Sequence, residues 1–376
     1  RVVAKMQGRI GPNRTGPLGL FQPVADAVKM AFKEQIVPTQ AKVFIYLIAP
    51  VISVVVALCA FAIVPIGNSW IEGKPSLWDP IIGDINIGLL WILAISSLAV
   101  YGIVLGGWAS GNRYSLLGSL RSAAQMVSYE TSLGLALSGT LMWAGTLSMV
   151  GIVKAQLPYP TGQGIWFIMA QPLGFVIYLI AGIAEVNRAP FDLPEAEQEL
   201  TAGYLTEYSG LRWSLYQMAE YINMIVVSAV AATLFLGGWS LFGLERIPGV
   251  SILIFLVKVG FFLFLFIWLR ATLPRIRYDR LMRLGWQLLL PLAVLNVVIT
   301  ATVVAFGLPW WINGLAGLAI LATVLLLVRN RTKVIQTGIT TQVGTIPMPA
   351  SVRLAKFEPV GNADLVVPGP KHDITV

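Results

Sequence analysis

Acidic side chains are crowded into one short stretch of this sequence. Six of the 18 carboxylates fall between Glu185 and Tyr208, in EVNRAPFDLPEAEQELTAGYLTEY. If Pro194 begins a helix, Glu195 and Glu199 lie four residues apart on one face, where two ionised carboxylates repel each other. Crowded carboxyl groups raise one another's pKa values. Such a cluster can hold exchangeable protons near neutral pH.

Most of the remaining sequence is apolar enough to lie in a lipid bilayer. Of the 376 residues, 56% are hydrophobic and 12% are charged, and the mean hydropathy is +0.76. A helix needs about 20 apolar residues to cross the bilayer core. We therefore predict an all-α polytopic membrane protein, with one membrane domain over 1–328 and a polar C-terminal tail over 329–376. Eight transmembrane helices are predicted, at 43–66, 86–107, 123–150, 165–184, 221–242, 250–269, 287–307 and 309–328.

The basic residues predict how these spans are oriented. If successive loops alternate sides, 22 Lys and Arg residues fall on the side of residues 1–42 and three on the opposite side. Cytoplasmic loops carry the excess of Lys and Arg, so the 185–220 loop and the tail are predicted to be cytoplasmic. Topology and anionic lipid account for the net charge of +8, and no nucleic acid is expected as a partner.

The distribution of charge argues that the 185–220 loop is more than a solvated surface. This loop holds seven acids and two basic residues, whereas the other predicted cytoplasmic segments hold 20 basic residues and six acids. Its acids are also interleaved with Pro, Phe, Leu, Ala and Tyr. Both observations favour a loop that folds against another surface.

Two ionisable residues fall inside predicted spans. Such a side chain is costly in lipid and is a candidate for function by default. Glu130 lies about 10 Å into the 123–150 stretch, at 1.5 Å per residue. The alternative to a functional role is a carboxyl group near the helix end that is paired, or protonated for packing. Lys258 lies in the middle of the 250–269 stretch. Its ammonium group is too far from either end to reach water easily, so it would need a partner in the protein or in a water-lined cavity. Its role stays open between structure and function.

Residues that could bind a metal are almost absent from this sequence. Cys59 is the only cysteine and His372, in the tail, is the only histidine. The sequence therefore predicts no disulfide, no cysteine-ligated cluster and no metal site. A chain of this composition is expected to leave electron transfer to partners.

The N-terminal region predicts an element at the membrane surface. Residues 8–19 are dense in Gly and Pro, which is typical of an irregular turn. Apolar residues then recur at Leu20, Val24, Val28 and Phe32, with charged residues on other faces. This pattern predicts an amphipathic helix, too short and too charged to span, that lies on the membrane or packs on neighbouring spans.

An arginine-rich segment follows the sixth predicted span. RATLPRIRYDRLMR contains five arginines between Arg270 and Arg283. A cluster at this place is typical of a cytoplasmic topological anchor. Arginine surfaces also bind phosphate or carboxylate groups, so a binding role is the second interpretation.

Five segments, in order over about residues 1–307, resemble the H-subunit family of proton-pumping NADH–quinone oxidoreductase, which is respiratory complex I. The acidic loop and the Gly-Pro segment are the most specific parts of this resemblance. The segments are MQGRIGPNRTGPLGLFQPVADAVKMAFKE, RSAAQMVSYE, EVNRAPFDLPEAEQELTAGYLTEYSG, QMAEY and RATLPRIRYDRLMRLGW.

The resemblance implies roles for two groups of residues. One group would form a carboxylate chain that conducts protons from the quinone cavity toward antiporter-like subunits, and the other would line the quinone tunnel. The first group is Glu130, Glu185, Asp192, Glu195, Glu197, Glu199, Glu207 and Glu220. The second is Arg9, Gln22, Asp26, Phe32, Arg270, Arg275, Arg277 and Asp279.

The resemblance also implies the setting of the chain. It would be a membrane subunit of the proton-translocating NADH:quinone oxidoreductase, with ubiquinone or menaquinone as substrate. The isolated chain would catalyse nothing, because FMN and the iron–sulfur clusters would belong to partner subunits. The expected partners are the peripheral-arm subunits of the quinone site, the antiporter-like membrane subunits and lipid.

The sequence departs from the family pattern at both ends. The family begins with a further helix, of which only RVVAKM remains, so we expect a first helix before Arg1. The common form of the family ends near 287–307, whereas this chain adds 309–328 and a long tail. The addition favours a bacterial member, in the inner membrane.

Other functions remain open from the sequence. Energy-converting hydrogenases use a similar membrane subunit without quinone. An independent secondary transporter would act without partners, and a structural anchor for the peripheral arm would give Glu130 no function. The acidic and arginine-rich loops together favour the quinone enzyme.

Overall fold

The fold is helical throughout the part of the chain that the structure describes. In the computed structural model the chain divides into two compact units, 1–322 and 323–376. All regular elements among the described residues are helices, so the all-α prediction is confirmed for that part. The described residues are 2–67, 84–157, 164–192, 202–241 and 249–343, with side chains through residue 329.

The α-helices are numbered here in chain order. They are α1 (Val2–Met6), α2 (Gln22–Phe32), α3 (Val43–Phe61), α4 (Gly88–Ala109), α5 (Arg113–Ala144), α6 (Met149–Ala155), α7 (Phe167–Ala170), α8 (Pro172–Glu185), α9 (Gly210–Phe235), α10 (Val250–Thr272), α11 (Tyr278–Arg283), α12 (Leu290–Ala305) and α13 (Trp310–Val343). Short 3₁₀ turns at Pro17–Gly19 and Gly203–Leu205 and a π-helical segment at Leu284–Leu289 complete the described elements.

The helices fit a polytopic membrane protein, but the predicted count of eight spans is not confirmed. Six helices in the described ranges are long and apolar enough to cross a membrane. A seventh span results if α5 and α6, which meet at a bend of 58°, are taken together. The predicted span at 165–184 is instead divided into α7 and α8, and α8 has 14 residues.

Pro172 explains why the 165–184 stretch is broken. The residue before a proline is disfavoured in the helical region, and Gln171 has φ −133° and ψ 53°. When a helix is interrupted inside a bilayer, the backbone N–H and C=O groups at the break need other hydrogen-bond partners. The Ala170 carbonyl receives one from Nδ2 of Asn313 at 2.8 Å. The first turn of α13 therefore completes the broken helix.

The Gln171 side chain fills the break with further hydrogen bonds. Its Nε2 donates to Oγ1 of Thr300 at 2.7 Å, and its Oε1 accepts from Nδ2 of Asn296 at 2.9 Å. All three side chains are buried. This network ties α12 and α13 to the break between α7 and α8.

Two helices begin earlier than predicted. α5 begins at Arg113 rather than 123, with Asn112 as its N-cap, whose Oδ1 accepts from the Tyr114 amide at 2.9 Å. α9 begins at Gly210 rather than 221. Hydropathy marks only the apolar part of each helix, and the polar first turns extend beyond it. Glu220 therefore lies inside α9 rather than in the loop that precedes it.

α5 is the element around which the site is built. It packs against α4, α8 and α12, and α9 packs against α3. Near its N-terminus, Gly118 approaches Gly203 so closely that a Cβ on Gly118 would lie 2.5 Å from the Gly203 Cα. Small residues here let the 3₁₀ turn lie directly on α5.

The network at the helix break predicts a stability effect. Replacing Gln171 with Leu would leave the Asn296 amide and the Thr300 hydroxyl without these partners, at about 1–3 kcal/mol for each unsatisfied group. We expect a lower temperature of thermal inactivation for the purified complex. The exposed Gln287→Leu is the matched control and should leave that temperature unchanged. Equal temperatures for the two variants would contradict the role given to Gln171.

Candidate functional site

The first half of the acidic loop folds inward against α5. Nε2 of Gln125 donates to the carbonyls of Ala184 at 2.8 Å and Phe191 at 3.0 Å. Between them, Asn187 adopts φ 54° and donates from Nδ2 to Oγ of Ser122 at 3.2 Å. Asparagine tolerates this left-handed conformation better than most residues. The segment 186–192 is therefore held at both ends and in its middle.

Tyr204 and Tyr208, in the second half of the loop, form a buried cluster with Tyr46 of α3 and Tyr216 of α9. The rings of Tyr46 and Tyr208 stack at 4.3 Å, and Tyr216 meets Tyr208 edge-on at 5.0 Å. Burial raises the pKa of the Tyr208 phenol well above its usual range. The phenol is therefore neutral and donates to the Tyr46 carbonyl at 3.2 Å.

Glu220 is the carboxylate on which the two halves of the loop converge. It is only 9% exposed, although it is the eleventh residue of α9. The Tyr204 hydroxyl donates to its Oε1 at 3.1 Å, and Nη2 of Arg188 lies 3.5 Å from its Oε2. A buried carboxylate requires such partners, because an uncompensated charge is expensive in a low-dielectric interior.

Two small cavities adjoin Glu185, and one of them also reaches Glu220. The first, of about 40 Å³, is lined by Glu185 together with Ser96, Tyr178 and apolar residues of α4, α5 and α9. The second, of about 30 Å³, is lined by Glu185, Glu220 and Tyr204. Both share Asn223. Each has room for one or two water molecules.

Glu130 joins this group through its charge. It is partly buried, in the middle of α5, and lies close enough for its charge to act on Glu185. Three of the eight predicted relay residues are thus gathered in one region of the bundle: Glu130, Glu185 and Glu220.

Of the five other predicted relay residues, the structure describes Glu207 and Asp192. Glu207 accepts from Nδ2 of Asn112 at 2.7 Å and lines an open hollow of about 390 Å³ at the ends of α4 and α5. Asp192 is partly buried at the end of the segment that Gln125 holds. Glu195, Glu197 and Glu199 lie outside the described residues.

The predicted quinone residues of the N-terminal region lie on an exposed surface. α2 has no buried residue, and Phe32 at its end is 88% exposed. Nε2 of Gln22 donates to Oδ1 of Asp26 at 3.1 Å, and Arg9 is exposed. α2 packs on α9, and α1 packs on α10. The amphipathic helix that was predicted is therefore present, with an apolar face that no described residue covers.

The arginine-rich segment forms an open groove of about 540 Å³. Arg275, Arg277 and Asp279 line it, whereas Arg270 lies exposed at the end of α10. The remaining charged residues of its lining are Arg280 and Arg283. The groove contains four arginines and one acid, so its charge favours an anionic or strongly hydrogen-bond-accepting ligand.

The groove and the acidic loop are in direct contact. The Ile276 amide donates to the Pro190 carbonyl at 3.1 Å. The Tyr129 hydroxyl, next to Glu130, donates to the Leu281 carbonyl at 2.8 Å. A displacement of the arginine-rich segment would therefore act on residues adjacent to both Glu130 and Arg188.

Comparison with known proteins identifies the family. A family model described as NADH dehydrogenase matches residues 1–301. The H subunit of the Deinococcus deserti NADH-quinone oxidoreductase is 50% identical over 337 residues, which is 88% of this chain and 84% of that protein. The H subunit from Thermomicrobium roseum is 51% identical over 312 residues, with coverages of 82% and 90%. NADH-quinone oxidoreductase subunit 8 of Thermus thermophilus is 50% identical over 329 residues, with coverages of 86% and 87%.

This chain belongs to the H-subunit family of NADH-quinone oxidoreductase. The resemblance read from the sequence is thereby confirmed. Together with its apolar helices, membership of the H-subunit family makes the chain an integral membrane component of an oxidoreductase complex with several subunits. In the part of the chain that the structure describes, no group of three or more His, Cys, Asp or Glu side chains is arranged to hold a metal ion.

Some polar residues of the site were not singled out from the sequence. Tyr204 and Asn223 line the cavity between Glu185 and Glu220, and Arg188 forms an ion pair with Glu220. Gln125 holds the loop that carries Arg188. The only signal was the interleaving of the acids with apolar and aromatic residues. Which carboxylate each of these polar residues contacts depends on how distant parts of the chain pack together.

Lys258 has a structural explanation in this member of the H-subunit family. Its Nζ donates to the carbonyls of Leu236 at 2.6 Å, Gly238 at 2.9 Å and Ser240 at 2.6 Å. The ammonium also lies 4.9 Å from the centre of the Trp166 ring. These carbonyls follow the C-terminus of α9, where a cation is favoured by the helix dipole. Lys258 therefore joins α10 to the end of α9.

Lys258→Met tests this explanation. The variant leaves three carbonyls without their donor, at about 1–3 kcal/mol for each group that finds no other partner. We expect a lower yield and a lower thermal inactivation temperature of the assembled complex, with unchanged turnover and proton pumping per complex. Lys154→Met, at an exposed lysine, is the control. A normal yield with defective pumping would show instead that Lys258 belongs to the proton path.

Proposed function

We propose that this chain lines the path of quinone into the enzyme and carries a carboxylate chain that couples quinone reduction to proton translocation. The observation that carries this proposal is a pair of cavities that share Glu185, one of which also reaches Glu220. Such cavities are of little use to a purely structural anchor. They suit protons that pass between carboxyl groups through one or two waters.

The proton chain would consist of Glu220, Glu185 and Glu130 in the membrane region. Each step moves a proton between carboxyl groups or through an intervening water. A unit charge about 12 Å from a carboxylate, at an effective dielectric near 20, changes its energy by about 1.4 kcal/mol. That is a tenfold change in a protonation equilibrium. A charge that appears on the quinone headgroup can therefore redistribute protons along the row.

The loop acids would extend this chain toward the partner subunits. In this proposal they accept protons near the quinone cavity and pass them to Glu220. Tyr204 supports such a transfer, because its hydroxyl already contacts the Glu220 carboxylate. These acids are Asp192, Glu195, Glu197, Glu199 and Glu207.

The quinone path would run along α2 and the arginine groove. Exposed apolar residues of α2, among them Val24, Val28 and Phe32, suit an isoprenoid tail. The headgroup carbonyls of a quinone accept hydrogen bonds, which the arginines of the groove can donate. In this proposal Arg9, Gln22 and Asp26 line the entrance. Arg270, Arg275, Arg277 and Asp279 surround the route further along.

The contact between groove and loop suits coupling between quinone and protons. The Ile276–Pro190 hydrogen bond joins the groove to the segment that contains Arg188. The Tyr129–Leu281 hydrogen bond joins the same region to the helix that contains Glu130. A change in the groove on quinone binding would therefore reach both ends of the carboxylate row.

The remaining parts of the enzyme would lie in partners. The peripheral-arm subunits would cover the exposed groove and acidic loop, and antiporter-like subunits would receive the protons. FMN and the iron–sulfur clusters would belong to other subunits. We place the chain in the inner membrane of a bacterium, with the 1–328 membrane domain spanning it and the acidic loop and tail on the cytoplasmic side.

Glu185→Gln in the assembled complex tests the carboxylate chain. A Gln side chain keeps the shape but binds no transferable proton, so coupled turnover should fall at least about tenfold. Proton pumping and NADH:quinone reduction would be measured together in membrane vesicles. Glu34→Gln, at an exposed acid after α2, is the control and should change neither. Full quinone reduction with full pumping in the Glu185 variant would exclude the proposal.

Phe32→Ala tests the quinone path. Losing an aromatic contact with an isoprenoid tail removes about 1–3 kcal/mol of binding. The KM for a long-tailed quinone should rise roughly tenfold, and the KM for a short-tailed analogue should change much less.

The same assay separates quinone chemistry from that of an energy-converting hydrogenase. Quinone-site inhibitors of the rotenone or piericidin type should block the wild-type complex. Complete resistance to them, together with an unchanged KM in the Phe32 variant, would favour the enzyme without quinone.

A further inference from the structure

Asn223 is a polar side chain to which the proposed carboxylate chain gives no role. It belongs to α9, which is long and apolar enough to cross a membrane. It follows Glu220 by one helical turn, so the two side chains are on the same face. Its side chain is partly buried and lines both cavities beside Glu185. No residue that the structure describes forms a hydrogen bond with its side-chain amide.

The packing of α8 on α9 places Asn223 opposite Glu185. The Tyr178 hydroxyl of α8 donates to the Val227 carbonyl of α9 at 2.9 Å. Further along α8, a Cβ on Gly182 would lie 2.6 Å from Cγ1 of Val227, so the two helices approach closely here. Glu185 follows Gly182 by one turn, and Asn223 precedes Val227 by one turn. The small residue at Gly182 therefore lets the Asn223 amide and the Glu185 carboxylate adjoin the same cavities.

An amide in this position calls for a hydrogen-bond partner other than the described residues. A side-chain amide has two N–H donors and a carbonyl acceptor, and burying them without partners in an apolar interior is costly. The cavities that Asn223 lines have volumes of about 40 and 30 Å³. Water has the size and the chemistry that fit them. The Glu185 carboxylate is a second polar partner for such a water in either cavity.

We infer that Asn223 is a positioning residue that holds the water through which protons pass between Glu220 and Glu185. This inference rests on the proposed function. The O–H bond of the protonated Glu220 carboxyl breaks as its proton passes to a water oxygen. That water releases another of its protons to a carboxylate oxygen of Glu185, so the water is restored and no electron moves. Asn223 stays neutral throughout, because its hydrogen bonds to the water orient it without accepting the proton.

The chemistry of an amide suits this task. An amide both donates and accepts hydrogen bonds, so it can bind the water before and after the proton has passed. A carboxylate at position 223 would add a further acid that retains the proton. An apolar side chain there would remove one of the two to four polar partners that a buried water needs. A purely structural role would require a protein partner for the amide, and the described residues provide none.

Two variants of the same shape test this contact in the assembled complex. Asn223→Val and Asn223→Thr differ only by a methyl group in place of a hydroxyl, so a difference between them reports hydrogen bonding rather than packing. Coupled NADH:quinone turnover per complex should fall about tenfold in Asn223→Val, which is the effect of one lost hydrogen bond on a barrier. It should stay within about threefold of wild type in Asn223→Thr, whose hydroxyl can still bind water.

The solvent isotope effect separates proton passage from a structural role. If Asn223→Val slows the proton, replacing water by heavy water should slow turnover of this variant more than that of the wild type. A residue that only packs would lower the amount of assembled complex and leave turnover and isotope effect per complex unchanged. Ser97→Ala, at a polar residue of α4 that lines neither cavity, is the control and should match the wild type in both.

The outcomes separate this inference from the proposed function. Equal turnover and equal isotope effects per complex in Asn223→Val and Asn223→Thr overturn the role of Asn223. If Glu185→Gln is nevertheless impaired, the carboxylate chain stands without it. If Glu185→Gln also turns over and pumps normally, both fail.

A map of the wild-type complex that resolves ordered water gives a test that needs no variant. We expect a water within hydrogen-bond distance of the Asn223 amide and in contact with Glu185. An amide that is bonded only to a protein or lipid group overturns the inference, even if Asn223→Val does not assemble.

Discussion

Glu220 lies inside a helix that also crosses the membrane, and an ionised carboxylate in that position must be compensated by nearby donors. The compensation comes from two distant places, the Tyr204 hydroxyl and the Arg188 guanidinium. Each of these depends on its own support. The position of Arg188 depends on the hydrogen bonds from Gln125 to the loop backbone. The position of Tyr204 depends on the close approach of Gly118 and Gly203. The local architecture of the loop follows from this single electrostatic requirement.

The same requirement explains why α5 is long and why its first half is polar. Serine, glycine and glutamine in this part of α5 are buried against the loop rather than exposed to solvent. A hydropathy profile interprets such a stretch as lying outside the membrane region. In three dimensions it is the platform on which irregular backbone finds its hydrogen-bond partners, as a low-dielectric environment demands.

Much of the helical fold could be predicted from the sequence, because long apolar stretches identify helices. The inward folding of the acidic loop could also be inferred, from its unusual excess of acids. The break at Gln171 was missed because the hydropathy stays high through 165–184, and only Pro172 marked it. The early start of α9 was missed because its first turns are polar. The pairing of Arg188 with Glu220 joins residues 32 positions apart, and no local pattern encodes it.

The C-terminal helix α13 has a consequence for how such chains diverge. Asn313 supplies the donor that the Ala170 carbonyl lacks after the helix is interrupted, and Gly314 lets α13 approach closely enough to do so. A relative without this helix would need another way to satisfy the Ala170 carbonyl. Either α7 and α8 would form one continuous helix, or a neighbouring chain would supply a hydrogen-bond donor. Helix α13 and the interruption between α7 and α8 are thus expected to be inherited as a pair.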